Sequence, residues 1–310
     1  MRKHRPSAPA CTRAAALLAF VILGAAAAAA QVPRVAVSIL PQQYFVDRIS
    51  GGSVHSLVLV GPGQNPHSYE PTPRQMADLG AAAAWLTIGV DFENGLLPKV
   101  RNLYPRLRIV DTTAGVSFRT LETHSHDEDH GADGRAEEGE DHGEEGHEAG
   151  RDVHIWLGRE GSKAQARSIR DLLAAIDPGN ASKYSRNHDV LVKDIDVVFD
   201  DLAKSLSPLR GKPAFVYHPA FGYFLDEFGI EQVAVEVGGK EPTQKSLAEL
   251  IEHAREHGAK VIFVQPQFSK SAARAVAKAI GGVVVEMDDL APDWLANLKR
   301  MGEALKAAAR

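Results

Sequence analysis

One amphipathic run at mid-chain limits the architecture more than anything else in the sequence. Between Asn180, which can cap a helix, and Pro208 and Gly211, which end one, apolar residues recur at Leu191, Ile195, Val198, Leu202 and Leu206. This spacing keeps them on one face of a helix of about 27 residues, longer than the usual 8–20. Strand-like and helix-like segments alternate on both sides of it. The run reads as a rigid connector between two lobes, or as a long helix inside one domain.

Ahead of it, Arg34–Leu40 and Ser56–Val60 read as strands flanking a helical pattern over Gln42–Ile49. Thr72 caps a helix reaching about Ala84, with Pro73 at its first position. Trp85–Ile88 and Arg108–Val110 read as strands around a helix from about Phe92 to Leu103. Val153–Leu157 and a helix from about Ser162 to Ala175 follow, stopped by Asp177-Pro178-Gly179. Behind the long run, strands Pro213–Tyr217, Gln232–Glu236, Val261–Val264 and Val283–Glu286 alternate with helices Phe221–Phe228, Gln244–His257, Ser269–Ile280 and Trp294–Ala309. Such alternation predicts βαβ units and parallel sheets. The expected fold class is α/β: two (β/α) lobes with small parallel sheets, over 31–179 and 211–310, joined by a connecting helix over 180–210.

The stretch 122–148 differs in kind. It holds five histidines (His124, His126, His130, His142, His147), twelve Asp or Glu, one Arg and no large apolar side chain. It cannot bury enough surface to offset the entropy of ordering, so a solvated loop is expected. A plain acidic spacer has no need of imidazole. Histidine alternating with acid points to auxiliary collection of a divalent metal.

The formal net charge of −5 conceals an uneven distribution: the loop carries −11 and the rest +6, of which +4 (Arg2, Lys3, Arg5, Arg13) precedes Ala14. The folded part is near neutral, which gives no reason to expect a nucleic-acid partner. Residues 1–30 read as a cleaved secretory signal: that basic start, an apolar stretch Ala14–Gly24, and Ala28-Ala29-Ala30 before Gln31. An uncleaved anchor is the alternative. The one cysteine, Cys11, lies ahead of the apolar stretch, so the mature chain has no thiol. Any metal must then be held by His, Asp or Glu.

Open α/β sheets bind ligands beyond the carboxyl ends of their strands. His67 follows the Ser56–Val60 strand across a Gly-Pro-rich turn, and His154 opens the segment after the acidic loop. His218 directly follows Pro213–Tyr217, and Asp288 and Asp289 follow Val283–Met287. Three imidazoles and one carboxylate would make a four-coordinate site suited to zinc better than manganese. Taken singly, each has a plainer reading: a hydrogen-bonded loop histidine, Asp288 as a helix cap, Asp289 solvated. His253 and His257 are spaced to share a metal, but their charged surroundings suggest an exposed helix face. His55 and His188 read as solvated. Trp156, Tyr217, Phe221 and Tyr223 read as wall and core around a site.

Four motifs carry a family resemblance: Pro66-His67-Ser68-Tyr69-Glu70-Pro71-Thr72-Pro73, Val153-His154-Ile155-Trp156-Leu157-Gly158, His218-Pro219-Ala220-Phe221-Gly222-Tyr223-Phe224 and Gln265-Pro266-Gln267-Phe268-Ser269. In this order, over about residues 32–310, the chain resembles the periplasmic metal-binding proteins of cluster A-I ABC transporters. The His-rich acidic insertion before His154 points to the zinc-uptake, ZnuA-like branch. The resemblance implies two (β/α) lobes joined by one long helix, with the metal in the cleft between them. It carries the family's ligands over to His67, His154, His218 and Asp288, the last replaceable by water in zinc proteins. It implies a periplasmic monomer that captures Zn²⁺ as transported cargo for a membrane permease. Two departures stand out. Asp152-Val153 replaces the Asp-Pro that often precedes the second histidine, and Gln265 replaces a frequent Glu.

The in-class alternative is a manganese or iron protein, though His218 stands where manganese binders usually carry Glu. A zinc buffer or chaperone without a transporter is another. A secreted zinc enzyme with three histidines and an open water position is the rival from a different class. No general acid or base stands out near the motifs to support it.

Overall fold

The computed structural model describes residues 32–121, 150–236 and 243–309. The stretch 1–30, expected to be a signal, and the loop histidines His124, His126, His130, His142 and His147 lie outside the described residues.

The first half runs β1 (Arg34–Val37), α1 (Leu40–Ser50), β2 (His55–Val58), α2 (Pro73–Gly80), β3 (Ala84–Thr87), α3 (Asp91–Leu103) and β4 (Arg108–Asp111). A 3₁₀ turn over Ile155–Leu157 leads into α4 (Arg159–Ile176) and the 26-residue α5 (Ala181–Leu206). The second half runs β5 (Pro213–Val216), α6 (Gly222–Asp226), β6 (Glu231–Ala234), α7 (Gln244–Glu256), β7 (Val261–Val264), α8 (Lys270–Ala279), β8 (Val283–Glu286) and α9 (Trp294–Ala308).

Each half builds an all-parallel four-stranded sheet, ordered β2-β1-β3-β4 and β6-β5-β7-β8. The α/β class with two lobes and a long connecting helix is as expected. The repeated order puts a switch point between β1 and β3 and another between β5 and β7, where connections leave in opposite directions and a crevice opens.

Local chemistry explains the element ends. Thr72 and Gln75 form a capping box with Pro73 at the first helical position. Ser269 caps α8 and Asp293 caps α9 through their side-chain oxygens. The α2 helix stops at Gly80, short of the expected Ala84, because Ala84 pairs with Val35 and Arg108 in the first sheet.

The long helix is not a bare strut. Its apolar face (Leu191, Ile195, Val198, Phe199, Leu202, Leu206) is buried against α1 and α4 of the first half and α9 of the second. A Cβ at Gly302 of α9 would run into the Leu202 side chain, so glycine permits that close crossing. One continuous core therefore takes in Val35 and Trp85, Ile195 and Phe199, Val216, Phe263 and Leu298. A second cluster lies on the far face of the second sheet, where Phe215, Val233 and Ile262 meet Leu250 of α7 and Val276 of α8. Strand β5 alternates between them: Ala214 and Val216 face the common core, Phe215 faces α7 and α8. Among the described residues no helix is long and apolar enough to cross a membrane.

Fully buried Gln42 ties the first switch point together. Its Oε1 accepts from Ser38 N (2.9 Å) and Ile39 N (3.4 Å); its Nε2 donates to Thr87 O (3.3 Å) and Thr112 Oγ1 (3.2 Å). Leucine there would leave several buried polar groups unpaired at once. Gln42→Leu is expected to cost about 3 kcal/mol, read as a lower denaturation midpoint at unchanged slope. A loss under about 0.5 kcal/mol, the range of neutral surface changes, would show that the network is dispensable.

Candidate metal centre

His67 lies in the β2–α2 connection, where its N–H donates to Asn65 Oδ1 (2.9 Å) in a tight turn. His154 directly precedes the 3₁₀ turn, and its N–H donates to Asp152 Oδ1 (3.0 Å). His218 stands two residues past β5. Buried Gln265, just past β7, grips its backbone: Nε2 donates to His218 O (3.0 Å) and Oε1 accepts from His218 N (3.4 Å). The glutamine that departs from the family pattern thus serves as a backbone clamp on a histidine.

These three histidines, remote in sequence, meet. His67 Nε2 lies 3.1 Å from His218 Nε2, which lies 3.3 Å from His154 Nε2. All three ligand atoms fall within 4.8 Å of one another. On the opposite side of each ring, Nδ1 faces a carboxylate: Asp91 Oδ2 at 2.6 Å from His67, Asp152 Oδ1 at 2.8 Å from His154, Glu236 Oε2 at 3.3 Å from His218. A carboxylate fixes the proton on Nδ1 and turns the Nε2 lone pair inward, the arrangement that orients and strengthens metal-binding imidazoles. Three lone pairs aimed at one point repel unless a cation or a proton sits among them.

The electrostatics follow from these contacts. The hydrogen bond from His67 holds the Asp91 carboxyl below its usual range. Burial would raise Asp152, but the hydrogen bond and charge of His154, with help from Arg119 (3.1 Å), bring it down. Burial would lower His154; the Asp152 hydrogen bond and charge outweigh it, and the imidazole ends above 6.5. His218 goes the other way, pushed down by burial and by its two histidine neighbours against the pull of Glu236.

The family described as zinc-uptake complex component A, periplasmic (ZnuA) matches residues 35–308. The chain belongs to the ZnuA family. It is 28% identical over 257 residues to the high-affinity zinc uptake system protein ZnuA of Yersinia pestis, covering 79% of each chain. It is 27% identical over 257 residues to the zinc-binding lipoprotein AdcA of Streptococcus pneumoniae, with 81% of this chain matched. The match takes in 48% of that longer relative, so this chain spans about half its length. A crystal structure of ZnuA superposes with a TM-score of 0.80 at 33% identity, covering 90% of this chain and 100% of that one. The expectation of a binding protein rather than an enzyme holds with this ZnuA membership.

Asp288, expected as the fourth ligand of a ZnuA-type site, is not brought to the three histidines. Its Oδ1 accepts from Leu290 N (2.8 Å), and Asn297 Nδ2 holds its carbonyl (2.6 Å). These bonds turn it to a small cavity shared with Glu286, Asn297 and Arg300, where burial pushes its carboxyl up to about 6. The next residue, buried Asp289, is the one whose charge acts on His154; its Oδ1 accepts from Gln267 Nε2 (2.8 Å).

His188 departs from expectation too: it is buried on α5 with Asp189 at 3.0 Å, whereas His55 is exposed. Asp91 and Glu236 were missed by reading histidines first. Both sit just beyond strand ends, past β3 and β6, so the same positional rule applied to carboxylates would have found them.

Proposed function

We propose that this protein captures Zn²⁺ in the periplasm, after removal of the 1–30 signal, and delivers it to the membrane permease of an ABC-type uptake transporter. One observation carries the reading: three Nε2 atoms converge while each Nδ1 is held by its own carboxylate. His67, His154 and His218 are the protein ligands in this proposal. Water takes the fourth position, and Asp289 supplies negative charge nearby. An all-imidazole set favours zinc over manganese, which prefers oxygen. The names of the relatives, a zinc uptake protein and a zinc-binding lipoprotein, agree. The lobes are proposed to run over 31–179 and 211–310 with 180–210 as connector, in a monomer with no nucleic-acid partner. The loop histidines of 122–148 would collect the ion weakly and reversibly and raise its local concentration.

Elemental analysis of the mature protein, followed by competitive titration, tests the choice of metal: one tightly held zinc that manganese does not displace is expected. Tighter manganese binding would overturn the assignment. Stimulation of the partner permease ATPase by the loaded protein would separate transport from mere buffering.

The shifts give a pH dependence with a defined sign. Zinc takes only neutral imidazole, and His154 holds its proton above pH 6.5. Affinity should therefore begin to fall above the ordinary histidine value as pH drops, with His154 protonating before His218. Zinc binding should release protons, more of them as pH falls, measured calorimetrically in two buffers of different ionisation enthalpy. No proton release and a flat affinity between about pH 8 and pH 6, a span that brackets the ordinary histidine value, would sink this account.

A further inference from the structure

His253 and His257 lie well away from the centre described above. They occupy the last turn of α7 and the residue after it, beside the start of β7, at the amino end of the second sheet. His218 stands at the carboxyl end. Their rings are in edge-to-face contact, centroids 4.4 Å apart.

The bonds around them define which nitrogens are available. His257 Nδ1 lies 3.0 Å from the His253 carbonyl, which can only accept, so Nδ1 carries the proton and Nε2 presents its lone pair. Neither ring nitrogen of His253 takes a hydrogen bond among the described residues. Its ring is braced from beneath by Phe215, centroids 5.7 Å apart. Two imidazoles four residues apart on a helix are neighbours on one face, and here packing and a tautomer-fixing bond hold them in place before any ligand arrives.

Charge favours a cation at this point. The carboxyl end of α7 carries the negative pole of the helix, with exposed Glu252 and Glu256 alongside. Of the basic side chains nearby, Arg255 donates to Ala279 O (2.9 Å) and Lys260 to Ile280 O (3.4 Å), while Lys212 lines the same cavity as His257.

We propose that His253 and His257 form a second, weaker metal site, a two-imidazole chelate for a borderline divalent transition cation such as Zn²⁺ or Ni²⁺, with water completing the coordination sphere. Imidazole suits this class of ion. The proposal is independent of what occupies the first centre, since it shares no residue with it.

The test uses the full chain and Ni²⁺ as probe. Histidine acylation by diethyl pyrocarbonate, quantified residue by residue by mass spectrometry, reports protection at each position separately. His55, single and exposed, is the internal control. Ni²⁺ is expected to protect His253 and His257 together, at a concentration at least tenfold below that protecting His55. In the His257→Ala variant the midpoint for His253 should rise at least tenfold, and in His253→Ala that for His257 likewise, because a chelate fails when either arm is removed. Independent protection of each residue in its partner's absence, or protection of the pair only where His55 is also protected, would overturn the proposal.

Discussion

Replacing His154 with alanine is expected to weaken zinc binding by well over a hundredfold. Changes to groups that merely orient a ligand cost about 10–100-fold, so loss of the ligand itself must exceed that range. His154 is buried, and both its backbone N–H and its Nδ1 are pinned to Asp152. Among the described residues no other imidazole stands close enough to take its place. The comparison that gives the result meaning is Asp152→Asn. Asparagine can still accept from Nδ1 but carries no charge and leaves Arg119 with one fewer ion pair, so a loss of about tenfold is expected. His67→Ala and His218→Ala should behave like His154→Ala. Deletion of 122–148 should leave tight binding nearly intact and slow only capture from dilute zinc. If the deletion abolishes tight binding while the three alanine variants retain it, the roles of loop and centre are reversed.

The second large effect concerns a pair of tryptophans. Trp294 of α9 is buried against Phe45 (ring centroids 4.9 Å apart) and Tyr44 of α1, and its Nε1 donates to Trp156 O (2.8 Å). Trp156 in turn donates from Nε1 to Asp289 O (2.8 Å). Each indole thus bonds a backbone carbonyl in the opposite half, and both lie close to centre residues, Trp156 two positions after His154. Trp294→Ala is expected to cost about 4 kcal/mol through lost packing and an unpaired carbonyl. Because one core runs through both halves, thermal unfolding should stay a single transition at lower temperature. Zinc should recover the loss: free metal at a thousandfold above Kd adds about 4 kcal/mol. A cost under about 1 kcal/mol, below the usual range for emptied core sites, or two separate melting steps, would contradict the shared core.

Much of this was legible because it depended on local pattern. The period of Leu191, Ile195, Val198, Leu202 and Leu206 marks a long one-faced helix, and strand-end histidines mark a crevice. Periodicity says that a face is buried, not against what, so contact of α5 with both halves could not be read from it. Asp288 and Asp289 show the same limit at single-residue scale. They are adjacent and chemically identical, and two hydrogen bonds, Leu290 N to the Asp288 side chain and Asn297 Nδ2 to its carbonyl, decide which one turns away. Asp91 and Glu236 become partners of histidines only once strands distant in sequence align. His188 misled for a related reason: an isolated polar letter on a helix carries no mark of which side it takes.

The helix that lies in the common core has a bearing on how cargo would be unloaded. With α5 wedged among α1, α4 and α9, the halves cannot swing apart like jaws without tearing open the interior they share. A filled and an empty molecule would then differ mainly in the short connections bearing the three imidazoles. A docking membrane protein would have to read occupancy from those connections and prise the ion loose there, and the speed of handover would be governed at that contact rather than by any large-scale hinge.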